Sequence, residues 1–423
     1  MMVELSRRRV LTAGAAGLVV AGCTAEPTPA ARTDFDPTDW GSVREQFPLT
    51  RDVRQFSAYV LAAHPRPVAE AIERHRAGLD KDTHAYLDSQ GGGEDAVRAA
   101  AAEYLGGRAE DVALTDSTTM GLGLLYAGVK IAAGQDVLTT EHDFYSTHQA
   151  LRMRGVPVRR VRLYDDPALA TADEMVAKIK AGLTSSTRVV AVTWVHSVSG
   201  VKLPIRAIAD VVAAHNADRA PAERALLCVD AVHGLGVAPE RVADLGCDFL
   251  VSGTHKWLFG PRGTGIVWGK AEAWAQLDPV LPSFSGPAFG EWFDGRPAGP
   301  TTAALFTPGG YHSFEHRWAV AEAFRFHLVI GRERVAARTR EQVERIRAGL
   351  AGIASVSLRT PAADSAGLVC FDVAGEEPQA VVARLAGHGV SATVTPYRER
   401  RVRVGPSIVT SDEDVDALIA ALR

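Results

Sequence analysis

Short, almost uniformly apolar runs recur along the middle of the chain, and between them apolar residues fall at helical spacing. Val112-Ala113-Leu114-Thr115, residues 136–140, 189–195 and 226–230 are four such runs, each followed by a helical stretch except the last, which ends on Asp230. Strand-then-helix units in succession predict a mostly parallel sheet with functional loops at the carboxyl ends of its strands. Two further apolar runs, 248–252 and 265–268, predict core strands flanking a loop. Before this region the pattern predicts short helices over 39–46 and 67–79 around an extended 56–60, then an alanine-rich helix over 94–105 after the break Gly91-Gly92-Gly93. After it, the Pro/Gly-rich passage 279–300 reads as a loop over the cleft. Long helices follow over 314–350, then a strand over 367–373, a helix over 379–388, a strand over 402–404 and a last helix from Ser411. The division implied is a large α/β domain over 66–305 and a smaller α+β domain over 306–423, preceded by an arm over 34–65.

Residues 1–33 stand apart as a targeting segment and tether. Arg7-Arg8 precede an uncharged run, 10–22, that is too short to span a bilayer but suits a twin-arginine export signal. Val20-Ala21-Gly22-Cys23 closes it in the manner of a bacterial lipobox, which predicts lipidation of Cys23 and residence on the outer face of the cytoplasmic membrane. No repeat and no membrane span is visible elsewhere. Across all 423 residues the net charge is only −4, and no basic stripe with interleaved aromatics points to nucleic acid. The four cysteines are too few and too scattered for a disulfide framework or a zinc site, so no metal is expected.

The chemistry gathers around Lys256. It sits in Ser252-Gly253-Thr254-His255-Lys256-Trp257 between two core strands, shortly after Val229-Asp230-Ala231-Val232-His233-Gly234. A lysine among small and hydroxyl-bearing residues, paired with an aspartate at a strand end, is what pyridoxal 5'-phosphate chemistry requires: the amine forms a Schiff base, and the carboxylate keeps the pyridine nitrogen protonated. Asp116-Ser117-Thr118-Thr119 at a helix start offers backbone amides and hydroxyls to a phosphate, or plain helix capping.

These two stretches resemble the fold-type I, class V aminotransferase superfamily, which also holds cysteine desulfurases and isopenicillin N epimerase-like proteins; the likeness runs from about Phe56 to the C-terminus. The resemblance implies a pyridoxal-phosphate-dependent transferase fold of type I, with a mostly parallel seven-stranded sheet. It implies cofactor contacts from Ser117, Thr118 and Thr119 at the phosphate, Asp230 at the ring nitrogen, Ser197 and His233 at the phenolic oxygen, and Thr254, His255 and Lys256 in the lysine loop. It assigns ring stacking to His142, with Phe144 and Tyr145 as rivals, and the substrate carboxylate to Arg403. Thr307 and Gly309 match residues that reach the partner's phosphate across a homodimer, although Phe306 stands where relatives carry glycine.

The implied activity is Lys256-dependent chemistry on a small amino-acid substrate, with aminotransfer set against epimerase or lyase chemistry. The residues leave open whether the abstracted proton returns to the α-carbon. A persulfide-forming desulfurase is disfavoured, because such enzymes carry a nucleophilic cysteine on a loop shortly before the clamp arginine and 391–402 contains none.

Overall fold

Strand order explains where the functional loops converge. The computed structural model describes residues 35–423, so the export-signal and lipobox residues lie outside the described residues. Within the body formed by 37–423, seven strands make the main sheet: β2 (Val112–Thr115), β3 (Asp136–Thr140), β4 (Val158–Val161), β5 (Thr187–Thr193), β6 (Leu226–Asp230), β7 (Phe249–Gly253) and β8 (Gly265–Gly269). Their order is β2-β8-β7-β6-β5-β3-β4. Only β8 runs against its neighbours, so the other six strands deliver their carboxyl ends to one edge. All seven residues of β5 and all five of β6 and β7 are buried, which is why these runs are apolar throughout rather than alternating. The apolar runs foretold six of these strands and the mostly parallel sheet, and the family resemblance implied seven; β4, with two arginines and no buried residue, has no apolar run to mark it.

A second sheet, in the order β12-β13-β10-β9, combines β9 (Val356–Leu358), β10 (Val369–Val373), β12 (Thr393–Val394) and β13 (Val402–Val404). Its core holds Phe371, Val402 and Leu418. The two-residue β1 (Arg54–Gln55) pairs in parallel with β11 (Val390–Ser391). The extended segment expected at 56–60 is cut short there, because the Phe56 amide donates to the Ser391 hydroxyl instead of a ladder carbonyl.

The loop expected over 279–300 contains a helix, Gly286–Asp294. Its start is pre-set by Pro287 within the first turn and its end by Gly295 in the left-handed region, at φ 65°. None of its residues is buried, so helical spacing of a core face could not reveal it.

Candidate functional site

The cofactor candidates nearest Lys256 hang from the carboxyl edge of the main sheet, whereas Arg403 comes from the second sheet. Asp230 is the last residue of β6, Ser197 follows β5, His142 follows β3, and Lys256 lies on the loop joining β7 to β8. Helix Thr118–Gly128 begins immediately after β2, with Ser117 as N-cap accepting from the Met120 amide at 3.1 Å. The lysine loop is tied to that helix start, since the Gly253 amide donates to the Thr118 hydroxyl at 2.7 Å. A β-carbon on Gly253 would lie 2.8 Å from the His255 ring, so the approach requires glycine.

Asp230, His233, Ser197 and Arg403, all buried, come together around the half-buried Lys256. Asp230 is 1% exposed and, among the described residues, its side chain accepts only the Val232 amide, at 3.1 Å. Burial raises its pKa, with the Lys256 charge acting the other way. Burial lowers the Lys256 pKa against the pull of Asp230, and Arg403 lowers it further. The Lys256 Nζ lies 3.4 Å from His233 Nε2. Burial and the Lys256 charge hold His233 well below the usual imidazole range, so it is neutral.

Arg403, on β13, is 5% exposed. Its guanidinium donates to the Ser197 carbonyl at 3.1 Å and to the Thr393 hydroxyl at 3.2 Å, and it lies 4.5 Å from the centre of the Tyr59 ring. Among the described residues no carboxylate pairs with it, which is unusual for a buried charge.

Around this centre the remaining residues divide. His255 has its Nδ1 buried without a partner among the described residues, close to Gly253 and Thr118. Thr119 is exposed and shares a hydrogen bond with Ser146 at 2.9 Å. The Thr254 hydroxyl is committed to that of Thr264 at 2.5 Å. His142 lies 3.9 Å from the Tyr164 ring, nearly parallel at 13°, and its Nε2 accepts the Leu163 amide. Phe144 turns toward the cleft, edge-on to Tyr397 at 5.7 Å, whereas Tyr145 is 65% exposed. The Thr307 hydroxyl faces inward, donating to the Ala303 carbonyl and accepting from the Leu114 amide. Gly309 backs onto Phe284, which a β-carbon there would strike at 2.3 Å.

Three participants were not legible in the sequence. Asp143, 2% exposed, accepts from the Thr139 hydroxyl and the Thr140 and Thr193 amides, clasping the ends of β3 and β5. Trp257 donates to His233 at 3.2 Å. Tyr397 reaches Ser197 at 2.7 Å from a run of exposed charged residues, where nothing in the pattern marks it as inward-facing.

A family model described as "Aminotransferase class-V" matches residues 73–418. Curated proteins named cysteine desulfurase from Yersinia pseudotuberculosis (strain PB1/+) and Yersinia pestis (strain Pestoides F) are each 27% identical over 257 residues; the match spans 55% of this chain and 61% of the relative. Among solved structures, the apo cysteine desulfurase of Thermococcus onnurineus NA1 superposes with a TM-score of 0.76 at 21% identity, covering 90% of this chain and 96% of that one. A C-DES lysine mutant, described as having glycine covalently linked to its PLP cofactor, gives 0.79 at 20% identity, with coverage of 90% and 98%. These structural likenesses concern the fold.

Proposed function

The chain belongs to the class-V aminotransferase family, and on that premise we propose that it is a pyridoxal 5'-phosphate enzyme transferring the amino group of a small amino acid. One observation carries the substrate class: Arg403 is a buried guanidinium with no carboxylate partner among the described residues, in the same cleft as Lys256. A planar fork left uncompensated in a protein interior is a receptor for a carboxylate supplied from outside.

The residues present fit the cofactor. Asp230 is a buried carboxyl with a raised pKa that a cationic ring nitrogen would ionise. The orphaned Nδ1 of His255, beside Thr118 and the amides that open helix Thr118–Gly128, suits a phosphate. Ser117 and Thr119 flank that position, Ser197 and His233 would meet the phenolic oxygen, and His142 or Phe144 would cover the ring. When bound on Lys256, the cofactor supplies an electron sink for the bond broken at the substrate α-carbon.

The chain's own work is then proton handling and orientation. Arg403 holds the substrate carboxylate. Lys256, its amine made a readier base by the burial and the Arg403 charge that bring it down to about 8, takes the α-proton and delivers it onward.

Persulfide chemistry remains disfavoured despite the names of the curated relatives. Cys228, Cys247 and Cys370 are fully buried, and burial pushes the Cys370 thiol up to about 11 and that of Cys247 to about 12. Such thiols are protonated and unreactive near neutral pH. Return of the proton to the α-carbon, or elimination at the β-carbon, would make the enzyme an epimerase or a lyase. Incubation of holoenzyme with a panel of L-amino acids and a 2-oxo acid acceptor separates these outcomes. New 2-oxo acid and new amino acid in equal amounts support transfer; D-amino acid, or sulfide or ammonia with no acceptor consumed, would replace it. Arg403→Lys should lower kcat/KM for the preferred substrate by about 10- to 100-fold, the worth of a lost charged hydrogen bond.

We propose in addition that the enzyme is a homodimer, and that it is exported and lipid-anchored through Cys23. The dimer is supported by apolar side chains left in solvent near Thr307 and Gly309: Phe284, Trp292, Phe293 and Tyr311 are each more than half exposed.

A further inference from the structure

The segment 395–401, which joins β12 to β13, sends one large side chain into the cleft. Pro396, Arg398, Glu399 and Arg400 are exposed, while Tyr397 between them is half-buried. Thr395 closes the base of this turn: its amide donates to the Arg401 carbonyl at 3.0 Å, its hydroxyl donates to the Glu399 carbonyl at 2.9 Å, and the Arg401 amide donates to that hydroxyl at 3.0 Å. Arg401 pairs with Glu399 at 2.8 Å and reaches the Val198 carbonyl at 3.4 Å, fastening the turn to the loop after β5. The Tyr397 hydroxyl thereby lies 2.7 Å from Ser197 Oγ, and its ring meets Phe144 edge-on. The carbonyl of the same Ser197 accepts from Arg403, so the tyrosine, the serine and the carboxylate receptor form one linked unit.

We propose that Tyr397 is a positioning residue: its phenol donates to Ser197 Oγ and so directs the serine's own proton toward the cofactor's phenolic oxygen. The inference rests on the reading that Lys256 carries pyridoxal phosphate with Ser197 beside that oxygen. The physical argument is one of counting. A serine hydroxyl has a single proton to donate. Were it spent on Tyr397, none would remain for the cofactor. A phenol is the more acidic of the two hydroxyls and hence the better donor. Burial pushes the Tyr397 phenol above its ordinary range, so it keeps that proton at working pH. The charged groups around it are Arg403 from β13, Asp230 at the end of β6 and Asp143 after β3, with Lys256 and His233 in the same cleft. A donor aimed at the phenolic oxygen stabilises its negative charge, most strongly once the neighbouring imine nitrogen has lost its proton. Its loss must therefore raise the pH midpoint of the bound cofactor's visible band.

The test is a pH titration of that band in full-length holoenzyme for the wild type, Tyr397→Phe, Ser197→Ala and the double variant. Tyr397→Phe should raise the midpoint by about 0.4 to 1 pH unit, the equivalent of one neutral hydrogen bond. Ser197→Ala should raise it at least as far, and the double variant should match Ser197→Ala alone. A purely structural role for Tyr397 would leave the midpoint unmoved. An unchanged Tyr397→Phe midpoint beside a shifted Ser197→Ala midpoint overturns the relay, as does full additivity in the double variant. A wild-type protein with no visible band, or one indifferent to Ser197→Ala, overturns the underlying reading of the site instead.

Discussion

The indole N–H of Trp257 donates to Nδ1 of His233 at 3.2 Å, which leaves the one proton of the neutral imidazole on Nε2, 3.4 Å from the Lys256 amine. Indole nitrogen can only donate, so this contact fixes the histidine tautomer. It also presents Lys256 with a donor, an arrangement that favours the unprotonated amine needed to capture an aldehyde. Trp257→Phe should release both tautomers and slow covalent capture of pyridoxal phosphate by the apoprotein at neutral pH by about fivefold, in line with the loss of one hydrogen bond of about 1 kcal/mol. Stopped-flow absorbance measures this directly, and an unchanged rate would refute the tautomer argument.

Lys256→Ala removes both the covalent tether and the base. Turnover should fall by at least about a thousandfold, while weak cofactor binding through the phosphate contacts persists. In the wild type, borohydride reduction followed by peptide mapping should find the label on Lys256; a label on another lysine would displace the assignment.

Asp230 gives the cofactor-free protein a characteristic pH dependence. Burial raises its pKa from 3.8 to about 6, so the folded chain binds more protons than the unfolded one between those values. The stability this group contributes is complete below about pH 4 and is lost as pH rises through about 6. Urea denaturation of the apoprotein should show the wild type losing stability relative to Asp230→Asn over this window. A constant difference between pH 4 and 6 would contradict the assignment.

Exposed aromatic side chains around the helix Gly286–Asp294 are the proposed seam of the dimer. Trp292 is 75% exposed and Phe293 57%. Light scattering of the wild type should give twice the mass of one chain, and Trp292→Ser with Phe293→Ser should shift the population toward monomer with loss of activity. A wild-type monomer fully active on dilution would exclude shared sites.

Export is tested by cell fractionation. An Arg7→Lys, Arg8→Lys variant should accumulate inside as active holoenzyme, and Cys23→Ala should lose its acyl chains and with them stable membrane retention. Equal retention of the wild type and both variants would show that residues 1–33 are not an address.

The sequence by itself determined six of the seven strands of the main sheet, all but the half-exposed β4, and the positions of Lys256 and Asp230. Strands buried on both faces leave continuous apolar runs, and the polar residues that end them mark the carboxyl edge of a parallel sheet. It could not disclose the helix Gly286–Asp294, which buries no residue and so has no apolar stripe. Nor could it show that Tyr397 turns inward from among Arg398, Glu399 and Arg400, because the turn is set by Thr395 and by Arg401 reaching Val198, about 200 residues away in the chain. Trp257 was visible as a neighbour of Lys256, but its hydrogen bond to His233 exists only where the β7–β8 loop meets the turn after β6. Local pattern records which face of an element is buried; which polar groups meet inside a cleft is decided by the packing of elements distant in the chain.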